Sequence, residues 1–107
     1  MAITLATVKG PHFLQGDAVN NATTVGRLKP SSSTAERVSS MSVVAKHNNA
    51  GRVFFGESPG LTTALDNGLG PGDSLELEPT ATWMDLRDFY LLCDVANDGI
   101  DIRAVMA

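Results

Sequence analysis

Residues 38–56, which read VSSMSVVAKHNNAGRVFFG, decide the fold class of this 107-residue chain. Met41, Val43 and Ala45 recur at every second position, and that spacing is typical of a half-buried β-strand. The NNAG that follows supplies turn residues, and the RVFFG after it has the composition of a second strand. The stretch therefore predicts a β-hairpin.

Strand patterns recur at short intervals in the rest of the chain. SLELE (74–78) and IDIRAVM (100–106) alternate between apolar and polar residues, whereas DFYLLCD (88–94) is apolar on both faces. Short strands separated by glycine turns indicate an all-β fold, and we expect a small antiparallel β-sandwich or barrel of jelly-roll type. The core residues expected from these patterns are Met41, Val43, Val53, Phe55, Leu75, Leu77, Phe89, Leu91, Ile100 and Ile102.

Two shorter segments complete this domain, which we place at residues 25–107. Val25–Leu28 predicts one more short strand. TWMDLRDF, which begins at Thr82, predicts a single helical turn capped by Thr82 or Asp85. No longer helix is expected.

The first 24 residues lack a sustained pattern. ITLATV at the start permits a short strand, but Gly10, Pro11 and Gly16 interrupt the chain beyond Val8. We expect residues 1–24 to form an extended N-terminal arm that adds a strand to a partner surface. The alternatives are a disordered leftover or an edge strand of the chain's own domain. The candidate residues for contact with a partner or a second subunit, including two cations that would steer the arm, are Ile3, Leu5, Val8, Phe13, Leu14, Arg27, Lys29, Tyr90 and Leu92.

The strand at Phe89–Cys93 predicts that the chain associates with copies of itself. Because the strand is apolar on both faces, it needs cover on both. In one layer of a small sandwich, the second cover has to come from the arm or from another subunit. We therefore expect a homo-oligomer, since symmetric closed assemblies are the usual way to hide such a surface.

Charge is distributed unevenly along the chain. The net charge of −4 argues against nucleic acid as the main partner. Residues 1–52 carry six basic and two acidic side chains, whereas residues 53–107 carry two basic and ten acidic ones. Either both sets are solvated, or the basic part lies on an acidic surface of its own domain, of a neighbouring copy or of another protein.

Five of the ten glycines fall within residues 56–72 and raise the question of a phosphate-binding loop. A P-loop needs a lysine directly after its last glycine, yet all three lysines lie upstream. A dinucleotide loop needs Gly-x-Gly-x-x-Gly before a helix, whereas GLGPG has another spacing and precedes a strand. The acidic residues nearby would also repel phosphate. We therefore interpret this segment as turns.

The remaining candidates for chemistry have simpler explanations. Asp94, Asp98 and Asp101 resemble a calcium loop, but their spacing and the flanking strands favour a turn. Neither histidine has a second ligand at metal-binding spacing. Cys93, the single cysteine, cannot form an internal disulfide and is expected to be a small buried hydrophobe. We therefore expect a non-enzyme without metal or cofactor.

Membrane insertion and secretion are not expected either. No segment approaches the ~20 apolar residues of a membrane span. The opening MAITLATVKG has no basic leader and no long apolar stretch. These features predict synthesis in a cytoplasm, without a secretory signal.

Three stretches resemble a small module of tailed-phage and prophage structural genes. They are MSVVAKHNNAGRVFFGES, LGPGDSLELE and DLRDFYLLCDVANDGIDIRAV. In that module, Asn-x-Gly joins two strands, a Pro-Gly-Asp/Glu-Ser-Leu turn enters the next strand, and a strand opened by Asp-Leu is followed by a Val-Arg-Val-like end. The matching positions are Asn49, Gly51, Val53, Phe54, Phe55, Gly56, Pro71, Gly72, Asp73, Ser74, Leu75, Asp85, Leu86, Phe89, Tyr90, Ile102, Arg103 and Val105.

The resemblance covers roughly residues 38–105 and implies a structural virion protein. Members of the family are capsid decoration or cement proteins, neck proteins and head-fibre proteins. The resemblance thus implies a decoration protein on the capsid surface of the virion, made in the host cytoplasm. It also implies the major capsid protein or another shell protein as partner, and a trimer as the oligomer. The alternatives are a neck, head–tail connector or head-fibre component and, from another class, a carbohydrate-binding β-sandwich module.

Overall fold

The computed structural model describes residues 3–78 and 83–107. Within them, every predicted strand segment forms a strand. The strands are β1 (Ile3–Lys9), β2 (Phe13–Asn20), β3 (Gly26–Arg27), β4 (Arg37–Ala45), β5 (Val53–Gly56), β6 (Ser74–Leu77), β7 (Met84–Asp85), β8 (Tyr90–Cys93) and β9 (Asp98–Met106). Leu86–Asp88 form a 3-10 turn whose N-cap is Asp85, as expected. The other predicted cap, Thr82, lies outside the described residues.

The strands form two antiparallel sheets that pack as a β-sandwich, so the predicted fold class is confirmed. The larger sheet has the order β1-β2-β9-β4-β6, and the short β7 also pairs with β4. The smaller sheet has the order β3-β8-β5. Eight of the ten predicted core residues are buried between the sheets, and the other two, Leu75 and Leu77, are half-buried and pack against that core. Phe55 and Phe89 stack with ring centroids 5.0 Å apart.

The predicted hairpin between β4 and β5 is wrong. β4 pairs with β9, β6 and β7, whereas β5 pairs with β8 in the other sheet. Local turn residues favoured a hairpin, but burial decides otherwise. β4 buries alternate residues and β5 buries Val53, Phe54 and Phe55 in succession, so β5 needs cover on both faces. The NNAG segment therefore crosses between the sheets.

The turn after β8 also crosses between sheets. The residues ANDG favour a turn, and Asn97 does adopt the left-handed backbone of a turn residue, with φ of 72°. However, β8 belongs to the smaller sheet and β9 lies at the centre of the larger one. The two crossings, NNAG and ANDG, lie side by side, because the Asp98 carboxylate accepts hydrogen bonds from the backbone of Ala50 and Gly51.

The prediction of an extended N-terminal arm is corrected by the structure. β1 and β2 form a regular hairpin, and β2 pairs with β9 along its whole length. Leu14 and Ala18 are fully buried in the common core. The residue that seemed to break the pattern, Gly16, is required by packing, because a Cβ there would collide with the carbonyl oxygen of Ala6. Residues 3–20 thus include the edge strand that was the alternative interpretation.

The strand apolar on both faces is covered by its own chain. One face of β8 packs Leu91 and Cys93 into the core. On the other face, Leu92 stands opposite Phe54 of β5, and both are buried. The loop after β5 lies over this pair: a Cβ at Gly68 would meet the Phe54 ring at 2.7 Å. The apolar faces of β8 therefore give no reason to expect a second subunit at this strand.

Candidate functional site

The outer face of the larger sheet is the candidate functional site. β1, β2, β9 and β4 surround an open groove of about 660 Å³ on the side away from the core. Twisted sheets are concave along one diagonal, so a regular array of strands suffices to form such a groove. Its lining consists of residues of the four strands, most of them facing outward, together with Lys46, which follows β4.

One row of the groove is held together by a lysine. Asp17 of β2 stands directly opposite Asp101 of β9, and like charges in that arrangement repel each other. The Nζ atom of Lys46 lies 2.9 Å from an Asp17 oxygen and 3.0 Å from an Asp101 oxygen. Burial acts to lower the pKa of Lys46, but its bonds to the two carboxylates outweigh burial and raise that pKa. The ammonium group of Lys46 therefore reduces the repulsion between the two carboxylates.

The next row carries an arginine that can engage a partner. Arg103 of β9 stands between Gln15 of β2 and Ser42 of β4. The Ser42 hydroxyl donates to Glu76 at 2.8 Å. Within residues 3–78 and 83–107, Arg103 has no ion-pair partner, and its side chain is exposed. A guanidinium in that position can bind a carboxylate with two parallel hydrogen bonds.

An exposed apolar patch lies beside the groove, at the β1–β2 turn. We call Val8, Phe13 and Val105 the apolar patch. Phe13 stands opposite Val105 in the β2–β9 ladder, and the turn brings Val8 next to them. Val8 is 74% exposed and Phe13 is 62% exposed, more than any other large hydrophobic residue that the structure describes. Such a patch on a rigid sheet is typical of a protein–protein contact.

The nine predicted contact residues do not form one surface. Val8 and Phe13 belong to the apolar patch, but Ile3, Leu14 and Leu92 are buried. Leu5 is half-buried and packs against the core. Val8 alone of the groove residues is among these nine, and the unpredicted ones include Gln15, Asp17 and Arg103. Their alternation with buried residues on β2 and β9 is the signal that could have identified them, once β2 was recognised as a strand.

The remaining predicted contact residues are engaged within the chain. The guanidinium of Arg27 lies 4.9 Å from the ring centre of Tyr90 and donates to its hydroxyl. Lys29 pairs with Glu36 at 3.6 Å. Both side chains are therefore held by contacts within the chain, Lys29 by an ion pair and Arg27 by bonds to uncharged groups.

The basic first half of the chain lies partly on acidic residues of the second half. Lys46 binds Asp101, and Arg52 binds Asp94 at 3.2 Å. Of the three acidic surfaces considered from the sequence, these contacts favour the chain's own domain. Such exposed pairs each contribute only about 0–1 kcal/mol to stability. They do reduce the number of cations left for an external partner.

The residues that carry the resemblance have structural roles. The Asn49 side chain donates to the carbonyl of Gly99 and accepts from its N–H, both at 2.9 Å, and so imitates a paired strand residue. Asp85 caps the 3-10 turn and binds the guanidinium of Arg87 at 2.9 Å. Burial acts to raise the pKa of Asp85, but the bonds from Arg87 outweigh burial and lower that pKa. The side chains of Asn49 and Asp85 stabilise the fold and do not form a binding surface.

The glycine-rich segment turns the chain, as its sequence indicated. Gly72 has φ of 84°, a conformation that side chains other than glycine rarely adopt. The N–H of Gly70 donates to the Asp73 carboxylate at 2.9 Å, so an amide that a phosphate would require already binds an acid. The adjoining bonds between Gly72 and Ala45 and between Ala45 and Asp73 attach the turn to β4.

The three acids that resemble a calcium loop point to three different partners. Asp94 binds Arg52, Asp98 binds the backbone of residues 50–51, and Asp101 binds Lys46. In the part of the chain that the structure describes, no group of three potential ligands converges on a metal position. The acids of this segment therefore hold the fold together.

Cys93 is buried in the core, as expected. Burial, assisted by the charge of Asp98, raises the pKa of the Cys93 thiol to about 12. The Sγ–H donates to the Asp98 carbonyl at 3.4 Å. Because the thiolate is the reactive form, both burial and protonation protect this residue.

We predict that an aromatic disulfide reagent at mildly alkaline pH will not label Cys93 in the native protein. Labelling should reach one thiol per chain only after addition of denaturant, at the rate of unfolding. Absorbance of the released thiolate measures both reactions. Labelling of the native protein as fast as that of a free thiol would contradict the burial described.

Comparison of the chain with models of protein families, with curated proteins and with solved structures found no match. Among the described residues, no helix is long and apolar enough to cross a membrane. The function therefore has to be inferred from the sandwich and from its outer face.

Proposed function

We propose that this chain is a non-catalytic decoration protein of a tailed phage, which binds and stabilises the outer capsid surface. One observation carries the choice of binding face: the two most exposed large hydrophobic residues of the described chain, Val8 and Phe13, lie together beside an open groove on a rigid sheet. The resemblance of residues 38–105 to virion modules supports the kind of partner. A neck or head-fibre role would use the same face.

The geometry suits a shell protein with an apolar side chain beside an acidic one. The apolar patch would bury a hydrophobic contact, and central, desolvated contacts supply most of the free energy at interfaces. Arg103, one row away in the groove, would bind a carboxylate of the partner. Lys46 is held by Asp17 and Asp101 and is left out of this contact.

The test is sedimentation with empty heads assembled from the major capsid protein of the same genome. Wild-type protein should pellet with the heads, and Phe13→Ser should weaken binding by about tenfold or more, the cost of one hot-spot contact. The matched control is Leu65→Ser, which removes an exposed apolar side chain of the loop after β5. No pelleting of the wild type, or equal losses for both variants, would refute the proposed face.

A carbohydrate-binding module is the second candidate, and one observation favours it. The groove offers Gln15, Ser42 and Arg103 as hydrogen-bonding groups, with the exposed aromatic ring of Phe13 nearby. Sugars bind to such combinations of polar groups and an aromatic platform. Retention of the wild type on insoluble polysaccharide, lost in Phe13→Ser and combined with no binding to heads, would favour this candidate over the decoration protein.

A further inference from the structure

The edges of the two sheets are protected to different degrees. β3 and β7 are only two residues long, and Leu69 bridges to Val53 of β5. β6 has four residues and carries the charged Glu76. Natural sheets protect their edges in these ways, with short strands, charges or covering loops, because an open edge pairs with other chains.

β1 is less protected than the other edges. It runs for seven residues, ITLATVK, with no proline and no charge before Lys9. It ends the strand order of the larger sheet, and no other described strand lies on its outer side. Its pairing with β2 continues without a bulge, and most of its residues are exposed. β1 is therefore a long, regular edge that remains able to pair.

The turn that ends β1 determines which of its residues bond to β2 and which direct their backbone groups outward. The N–H of Gly10 donates to the Phe13 carbonyl at 2.7 Å. In an antiparallel ladder, residues that bond to the neighbour alternate with residues that point away from it. Gly10 bonds to β2, so every second residue before it, including Ala6, also bonds to β2. The residues between them, including Leu5 and Thr7, direct their N–H and C=O groups outward. The next strand would bond to these outward groups.

We infer that β1 of a second copy of this chain pairs antiparallel with β1, about a twofold axis at Ala6. This register places Leu5 opposite Thr7 of the second copy and Thr4 opposite Val8 of the second copy. Lys9 stands opposite Ile3 of the second copy, so no like charges meet. The small Ala6 side chains adjoin at the axis, and the register uses all outward groups, giving about eight backbone hydrogen bonds.

Self-complementarity selects a second copy over an unrelated strand. A twofold interface requires that the same residues suit both sides, and the sequence around Ala6 meets this requirement. Thr–Val pairs on the outer face and Leu–Thr pairs on the inner face are favourable cross-strand neighbours. A groove of about 400 Å³ between β1 and residues 28–30 runs beside this edge. Phe13 and Val105 stay outside the seam, whereas Val8 of the apolar patch lies within it. The inference rests on the β1 edge and not on capsid binding.

Sedimentation equilibrium across the micromolar range tests the dimer. The wild type should have twice the mass of the chain. Thr7→Pro removes an outward N–H while leaving the β1–β2 bonds intact, and it should raise the dissociation constant by about tenfold or more. Ala6→Thr, a neutral strand former, is the matched control and should remain dimeric. A monomeric wild type would overturn the inference, as would the trimer that the resemblance implies.

A charge exchange tests the position of the axis. Ala6→Lys and Ala6→Glu each place like charges opposite each other, so each variant alone should be monomeric. An equal mixture should form a heterodimer, because Lys then faces Glu. Unchanged circular dichroism in every variant shows that the sandwich is intact. Dimers of each variant alone, or no dimer in the mixture, would overturn a twofold axis at Ala6.

Discussion

Leu14→Ala is expected to lower the free energy of unfolding by about 2–5 kcal/mol, because the truncation leaves a cavity in the shared core. Leu14 is fully buried between the sheets. The neighbouring Phe13 points to the opposite face and is mostly exposed, so Phe13→Ala should change stability by only about 0.5 kcal/mol. Urea titration followed by circular dichroism measures both values.

The same experiment distinguishes a sandwich strand from an appended arm. If residues 1–24 were a separate arm, Leu14→Ala would leave stability unchanged. Deletion of residues 3–20 is a stronger version of this test. It would expose β9 along its ladder with β2 and remove Leu14 and Ala18 from the core. We expect the truncated chain not to unfold cooperatively; a well-folded truncated chain would contradict the strand assignment.

Asp98→Ala is expected to lower the free energy of unfolding by about 2–4 kcal/mol. The Asp98 carboxylate is almost fully buried and accepts from the N–H groups of Ala50 and Gly51 at 2.9 and 2.8 Å. Each bond to a charged group contributes about 1.5–3 kcal/mol, and truncation removes both bonds at once. The variant thus removes the link between the two crossings that join the sheets.

Asp94→Ala is the matched control, since Asp94 lies in the same turn. Its carboxylate forms an exposed ion pair with Arg52, whose side chain is 46% exposed. Such pairs contribute about 0–1 kcal/mol, so the loss should be small. Equal losses in Asp94→Ala and Asp98→Ala would show that the turn responds to charge alone. A negligible loss in Asp98→Ala would refute the structural role of its two bonds.

The glycines and asparagines show where sequence patterns mislead in this protein. Gly16 looked like an interruption, yet it lies within β2, as does Asn20. Gly16 allows the Ala6 carbonyl to approach. The buried Asn20 side chain donates to the carbonyls of Thr24 and Leu91 and accepts from Ala22, so it connects the two sheets. Neither role leaves a periodic signal, because the partners of each residue lie in other segments.

The candidate site could likewise be predicted only in part from the sequence. Val8 and Phe13 could be selected from the sequence as apolar residues in need of cover, and they form the apolar patch with Val105. The groove beside them could not be predicted, because it depends on β2 and β9 being neighbours. Arg27 and Lys29 were attractive as free cations, but Tyr90 and Glu36 already engage them. A side chain's availability depends on contacts that the linear pattern does not contain.

Sequence alone determined the all-β class, the position of most strands and part of the core, because period-two burial and turn residues are local properties. Tertiary structure decided which strands pair. β4 and β5 are joined by ideal turn residues, yet they lie in different sheets, since a strand buried at Val53, Phe54 and Phe55 needs cover on both faces. Long-range burial outweighs local turn preference. The same balance brings residues 3–20 into the sheet and leaves β1 as its open edge.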